Sequence, residues 1–282
     1  MAAFNGIPSF TWLPPNAAPQ AVLLCIHGIG LHGRTFAALG ERLARQGVAV
    51  YALDVRGFGG WQEAAGAVDL KQSVGDVREA VAVLRREHAD LPVFLLGESL
   101  GATIAAMAAN ASEDLIDGLI LAAPARVLNH HRSKAAAIFL TALSSGGKSV
   151  CITSAVTEYA PHVVAWAEED PLIRFEYNPL ELLQIMRFIM RGYKNLEKLP
   201  NIPVMVVQGE GDELITAQST VELFSQIHSS DKELIVLGGI GHLIFQAQDV
   251  APRTVAIIGD WLAQHSAAVL QPRTDLPLRR AS

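Results

Sequence analysis

The sequence predicts an α/β protein in which a mostly parallel sheet is covered by helices on both faces. Short apolar runs rich in β-formers recur along the chain, and segments with helical periodicity lie between them, the alternation expected of parallel strands joined by helical crossovers. The rhythm stops over residues 125–201, which predicts an insertion into the domain.

In chain order, residues 21–27, 48–54, 92–97, 118–123, 203–208 and 233–237 read as strands, bounded by Gly, Asp, Pro or Glu. Residues 35–46 place Phe36, Leu39 and Leu43 on one helical stripe, and residues 73–88 do the same with Val77, Val81 and Leu84. Gly47 and Pro92 stop these two helices. Inside the insertion, Asn178-Pro179 has the chemistry of an N-cap and first helical position, opening a helix with Leu182, Ile185, Met186 and Ile189 on one face. Gln184, Arg187 and Arg191 fall on the other face. That apolar stripe either packs the insertion onto the body or lines a pocket. The expected division is a core of residues 1–124 and 202–270, a helical cap over 125–201, and a frayed tail over 271–282.

Half of the 282 residues are apolar, enough for a sizeable core, and this excludes a disordered chain. The net charge is −6 and no basic run provides a footprint for nucleic acid. The first twelve residues lack both a basic segment and a continuous apolar stretch, so no signal peptide is expected, and a cytoplasmic location follows as the expectation. No apolar run approaches the roughly 20 residues of a transmembrane helix. Cys25 lies in an apolar strand-like run, and with Cys151 it is expected to be a reduced packing residue rather than half of a disulfide.

The chemistry is concentrated in three segments. Gly97-Glu98-Ser99-Leu100-Gly101 has the G-x-S-x-G pattern and sits between a strand and a helix-like stretch, residues 102–110. A turn that sharp strains the serine backbone and leaves no room for side chains at 97 and 101. A serine hydroxyl needs a base, and the base needs a group to fix its tautomer. Asp212 follows the strand ending at Gln208, and His242 follows the next strand. Ser99 is therefore the expected nucleophile, His242 the base and Asp212 the acid, in the order Ser, Asp, His that separates this arrangement from the chymotrypsin and subtilisin orders. Glu210 and Glu213 flank Asp212 as alternative acids. His27-Gly28-Ile29-Gly30, after the first strong strand, is expected to supply one oxyanion donor, the Ile29 N–H, with the Leu100 N–H as the second. His27 reads as a brace for its loop, and adjacent His130 and His131 would point apart on a helix. No cluster has metal-ligand spacing, and the Gly-rich stretches match neither nucleotide-binding pattern, so no metal or cofactor is expected.

With these residues in place, the chain resembles the monoacylglycerol lipase and lysophospholipase branch of the α/β-hydrolases over most of its length. The resemblance rests on His27-Gly28-Ile29-Gly30 with His32, on residues 54–59 (Asp-Val-Arg-Gly-Phe-Gly), on the Ser99 pentapeptide, on the Asp212 and His242 segments, and on a cap between serine and acid. It implies the α/β-hydrolase fold and hydrolysis of carboxylic esters with an apolar acyl chain, through an acyl-enzyme and without a cofactor. The substrate is then a small ester or lipid-like molecule. Leu31 stands where such proteins often carry Glu, Phe58 where His is frequent and Ala102 where a second Gly is common, and Trp61 replaces a small residue. The rim is thus expected to be more apolar than usual, and ester cleavage carries over more firmly than glycerol recognition. Phe58, Leu182, Met186 and Ile189 are the expected pocket residues, whereas Asp54 and Arg56 are expected to pin a turn. The same triad serves C–C hydrolases, thioesterases, acyltransferases and perhydrolases, and the scaffold also suits a non-catalytic binding protein.

Overall fold

A computed structural model describes residues 4–62, 68–110, 115–125, 149–151, 169–246 and 248–270. The strands are β1 (Ser9–Trp12), β2 (Ala21–Ile26), β3 (Val48–Leu53), β4 (Val93–Glu98), β5 (Gly118–Ala122), β6 (Val150–Cys151), β7 (Glu176–Tyr177), β8 (Val204–Gly209) and β9 (Lys232–Leu237). The helices are α1 (Ala37–Arg45), α2 (Leu70–Glu87), α3 (Leu100–Ala109), α4 (Pro179–Leu196), α5 (Ala217–Ser225) and α6 (Pro252–Leu270). Seven strands form one sheet in the order β1-β3-β2-β4-β5-β8-β9, and β6 pairs antiparallel with β7 in a second, two-stranded sheet.

Every pairing in the main sheet is parallel except that of β1 with β3. Successive residues of a strand point to opposite faces, and both faces here are covered. Val22, Leu24, Ile26, Leu95 and Leu121 join a core with Val77 and Val81 of α2 and Ile104 of α3. Their neighbours Leu23, Cys25, Leu96 and Ile120 join a second core with Leu39 and Leu43 of α1 and Ile258 and Trp261 of α6. Burial on both sides is why the strands read as continuous apolar runs. After β2 the chain adds β3 on one side and then β4 on the other, so the connections part at the C-terminal ends of β2 and β4. In such sheets that crevice is where ligands bind.

Several elements depart from expectation. β1 is an edge strand of four half-buried residues, too short for its alternation to stand out. The helix expected from residue 73 starts at Leu70 because Asp69 caps it, its carboxylate accepting from the Gln72 N–H. The helix expected from residue 35 opens with a 3₁₀ turn, Gly33–Phe36. Cys25 is buried as expected, but Cys151 is exposed on β6.

The start of α4 agrees with expectation in detail. The Asn178 side chain accepts from the Leu180 N–H at 2.9 Å, and Glu181 reaches back to accept from the Asn178 N–H at 2.9 Å, a reciprocal capping box. Much of the expected cap (126–148 and 152–168, with His130 and His131) and the tail 271–282 lie outside the described residues. Among the described residues no helix is long and apolar enough to cross a membrane.

Candidate active site

Ser99 sits between the end of β4 and the start of α3 with φ 56° and ψ −116°, a conformation that a non-glycine residue holds only under strain. The surrounding glycines are sterically required. A Cβ on Gly97 would lie 2.2 Å from the Gly101 carbonyl oxygen, and one on Gly101 would lie 2.1 Å from that of Ile26. Backbone stands on both sides of these contacts, so no side chain can move aside.

The elbow brings Ser99 to His242, whose Nε2 lies 3.0 Å from Oγ. His242 Nδ1 lies 2.8 Å from Oδ2 of Asp212, so the three expected residues form one continuous relay, and all three are buried. The loops carrying acid and base pack backbone to backbone: the Gly211 N–H donates to the Ile240 carbonyl at 2.9 Å, and a Cβ on Gly209 would meet the Gly241 oxygen at 2.3 Å. Asp212 is held on every side. Oδ1 accepts from the N–H groups of Leu214 and Ile215 at 2.9 and 2.8 Å, and Oδ2 accepts from the Gln208 amide at 2.9 Å. Burial opposes its ionisation, yet the hydrogen bond and charge of His242, with the Ile215 and Gln208 donors, outweigh burial and hold the carboxyl below its ordinary value. Glu210 and Glu213 are exposed.

The loop after β2 lies beside the elbow, where a Cβ on Gly28 would meet the Ser99 Cβ at 3.3 Å. Among the described residues neither the Ile29 nor the Leu100 N–H has an acceptor within the protein. His27 braces this loop as expected: its Nε2 accepts from the Val55 N–H at 2.8 Å, which leaves Nδ1–H to donate to the Gly28 carbonyl at 2.7 Å. Burial pulls its pKa down to about 4 against the opposing influence of Asp54, so the ring is neutral near pH 7. Asp54 and Arg56 are both structural but do not pair with one another. Asp54 accepts from the N–H groups of Gly33 and Gly60 at 2.7 and 2.8 Å, while Arg56 makes a forked ion pair with Asp76 at 2.7 and 3.0 Å.

The described part of the insertion is tied to the same loop by residues that sequence reasoning missed. The Arg174 N–H donates to the Gly30 carbonyl at 2.8 Å, and His32 Nε2 pairs with Asp170 at 3.0 Å. Gly30 has φ +77°, and a Cβ there would lie 2.5 Å from the Arg174 oxygen. Leu31, Ile173, Phe175 and Leu243 form a small apolar cluster that includes the residue following His242 in the chain. No periodic signal marks Asp170 or Arg174, because both act from irregular chain.

The expected pocket residues separate into two groups. Phe58 does not line an open surface. It is fully buried, edge-on to His27 at 5.9 Å and 6.3 Å from the Tyr177 ring, so it fills the space under the loop. Leu182 and its neighbour Ile185 are buried in the core beside α3, whereas Met186 and Ile189 stay partly exposed. A small cleft of about 10 Å³ lies further along, between α3 and α4, bordered by Thr103, Ala106, Ala125, Gly192 and Leu196. Among the described residues there is no cluster that could hold a metal ion.

Sheet order, elbow and relay define an α/β-hydrolase, and residues 17–249 match the model of the family described as serine aminopeptidase, S33. The chain belongs to that family, and it is a hydrolase similar to monoacylglycerol lipases. It is 25% identical over 260 residues to the monoacylglycerol lipase of Mycolicibacterium smegmatis, an alignment covering 89% of this chain and 91% of that one. Against the human monoglyceride lipase the identity is 27% over 264 residues, covering 90% and 86%. The solved monoglyceride lipase of Saccharomyces cerevisiae, bound to a substrate analogue, superposes with a TM-score of 0.74 at 20% identity over 91% of each chain, a likeness of fold.

Proposed function

We propose that this chain hydrolyses carboxylic esters with an apolar acyl chain, with Ser99 as nucleophile, His242 as general base and then acid, and Asp212 as the group that orients His242. The observation that carries the reading is the unbroken relay of 3.0 and 2.8 Å contacts ending at a serine held in a strained elbow. Ser99 Oγ attacks the ester carbonyl as its proton passes to His242 Nε2. The Ile29 and Leu100 N–H groups then donate to the tetrahedral oxyanion, each worth roughly 3 kcal/mol in the transition state. Collapse expels the alcohol, which takes the proton from His242 and leaves an acyl-enzyme. Water, deprotonated by the same histidine, attacks the acyl carbonyl, and the carboxylic acid departs as Ser99 regains its proton. The Asp212 carboxylate accepts from Nδ1–H throughout and so keeps Nε2 facing the serine.

An apolar substrate is supported by the hydrophobic cluster that includes Leu243, the residue following His242, and by relatives named as monoacylglycerol and monoglyceride lipases. The test is a panel of p-nitrophenyl esters and monoacylglycerols of increasing acyl length, run beside Ser99→Ala. Turnover by the wild type and a loss of several orders of magnitude in the variant are expected, and a variant that keeps more than about a tenth of wild-type kcat overturns the reading.

A further inference from the structure

Glu98 fills the variable position of the elbow, between Gly97 and Ser99, and takes no part in the chemistry above. Its carboxylate is fully buried, and four N–H groups converge on it. The backbone N–H groups of Ile244, Phe245 and Gln246 donate to it, as does the Gln246 side-chain amide, at 3.0 Å from the Gln246 backbone and 3.1 Å from its side chain. The amide oxygen of Gln246, itself fully buried, accepts from the Gly28 N–H at 3.1 Å and lies 3.2 Å from the Thr35 hydroxyl, which donates to the His32 carbonyl at 2.6 Å. One buried carboxylate thus joins the residue before the nucleophile to the segment just after the base, and that segment to the residue before Ile29.

Two features make this network more than packing. Residues 238–246 lie in neither helix nor strand, so their backbone N–H groups need partners from elsewhere, and Glu98 supplies one to three in succession. The network also has one satisfied protonation state. Each of these four partners is a donor, so ionised Glu98 accepts from all of them, while a protonated acid would turn its O–H toward donors. Burial raises the Glu98 carboxyl above its ordinary value, and the same N–H groups, with the charge of His242, oppose but do not cancel that rise.

We propose that Glu98 and Gln246 are positioning residues: Glu98 sets the separation of Ser99 and His242, and Gln246 sets the aim of the Ile29 N–H. The inference rests on the relay reading above. Glu98→Gln keeps the side-chain shape but turns an amide NH₂ toward N–H donors, and Gln246→Leu removes the link to Gly28. Both are compared with wild type in kcat and KM on a p-nitrophenyl ester, normalised to active sites titrated with a fluorophosphonate. Thermal melting and the low-field proton resonance of the His242–Asp212 hydrogen bond are recorded as well.

Glu98→Gln is expected to lower kcat by about tenfold or more with KM within about twofold, because displacements well under 1 Å at reacting atoms are enough, and to shift or broaden the low-field resonance. Gln246→Leu is expected to lower kcat by about threefold or more while that resonance stays in place. A residue with only a structural role would lower the melting temperature and leave kcat per titrated site and the resonance unchanged; that result in Glu98→Gln overturns the proposal. If Glu98→Gln does not fold, wild-type kcat in Gln246→Leu overturns it instead. A wild-type chain that neither reacts with the fluorophosphonate nor cleaves any ester overturns the relay reading, and this inference with it.

Discussion

Asp212 shows how much a single side chain's surroundings decide. Three carboxylates, at 210, 212 and 213, stand close together in the sequence, yet only that of Asp212 is buried and aimed at His242 Nδ1. Asp212→Asn is therefore expected to cost about 10⁴ in kcat, a magnitude taken from the serine-protease precedent, by favouring the wrong histidine tautomer. Glu210→Gln and Glu213→Gln, both at exposed positions, should stay within about 0.5 kcal/mol of wild-type stability and close to its rate. Steady-state kinetics of the three variants check this, and a larger loss in Glu210→Gln would move the acid to that residue. The depressed native value of Asp212 also has a pH consequence. An acid whose folded pKa lies below its unfolded value of about 3.9 contributes stability in full above that pH and loses it as pH falls through the native value. The stability difference between wild type and Asp212→Asn, measured by denaturant unfolding, should hold from pH 7 to about 5 and shrink in more acid solution.

At the scale of elements, the strand–turn–helix joint between β4 and α3 carries the tightest steric demand in the site. An added methyl at Gly101 meets the Ile26 carbonyl, part of the neighbouring β2, at a separation that real Cβ atoms do not show. Gly101→Ala is expected to destabilise by about 3 kcal/mol, since the first turn of α3 and the end of β2 would have to part. Gly75 is the contrast. It lies within α2, where an added Cβ meets only the Gln72 side-chain nitrogen at 3.7 Å, so Gly75→Ala should stabilise by about 0.5–1 kcal/mol. Urea midpoints of the two variants check the opposite signs, and a neutral Gly101→Ala would mean that the elbow is looser than its contacts indicate. The same local reasoning explains why the G-x-S-x-G pattern and the Asn178-Pro179 cap were legible in the sequence: each demand is met within a few residues. β1 was not, because four residues at an edge hold too little periodicity and only pairing with β3 defines them.

For the whole molecule, the insertion matters through what it lays over the body. Helix α4 turns Leu182 and Ile185 into the core beside α3, rests Ile189 partly buried against that core and leaves Met186 partly exposed, so its stripe divides between packing and open surface. We propose that the open part sets acyl-chain preference. Met186→Ser and Ile189→Ser should move the optimum of the p-nitrophenyl ester series toward shorter chains while hydrolysis of the acetate stays near wild type. An unchanged profile would assign these two residues to packing alone.

The sequence by itself determined the alternation of strands and helices and singled out Ser99, Asp212 and His242, the three residues that the fold brings into one relay. Each of these depends on short-range patterns: apolar periodicity, glycines forced by a sharp turn, a histidine and a carboxylate placed just past strand ends. Only the tertiary structure decided which buried polar groups meet. Glu98 finds its donors nearly 150 positions away, Gln246 finds Gly28 more than 200 positions away, and Asp170 and Arg174 reach back to the loop after β2. Phe58 likewise became a packing residue because Tyr177 folds against it. The physical reason is common to all of them. A polar group removed from water must take whatever partner the packed sheet brings within about 3 Å, and no local pattern records which one that is.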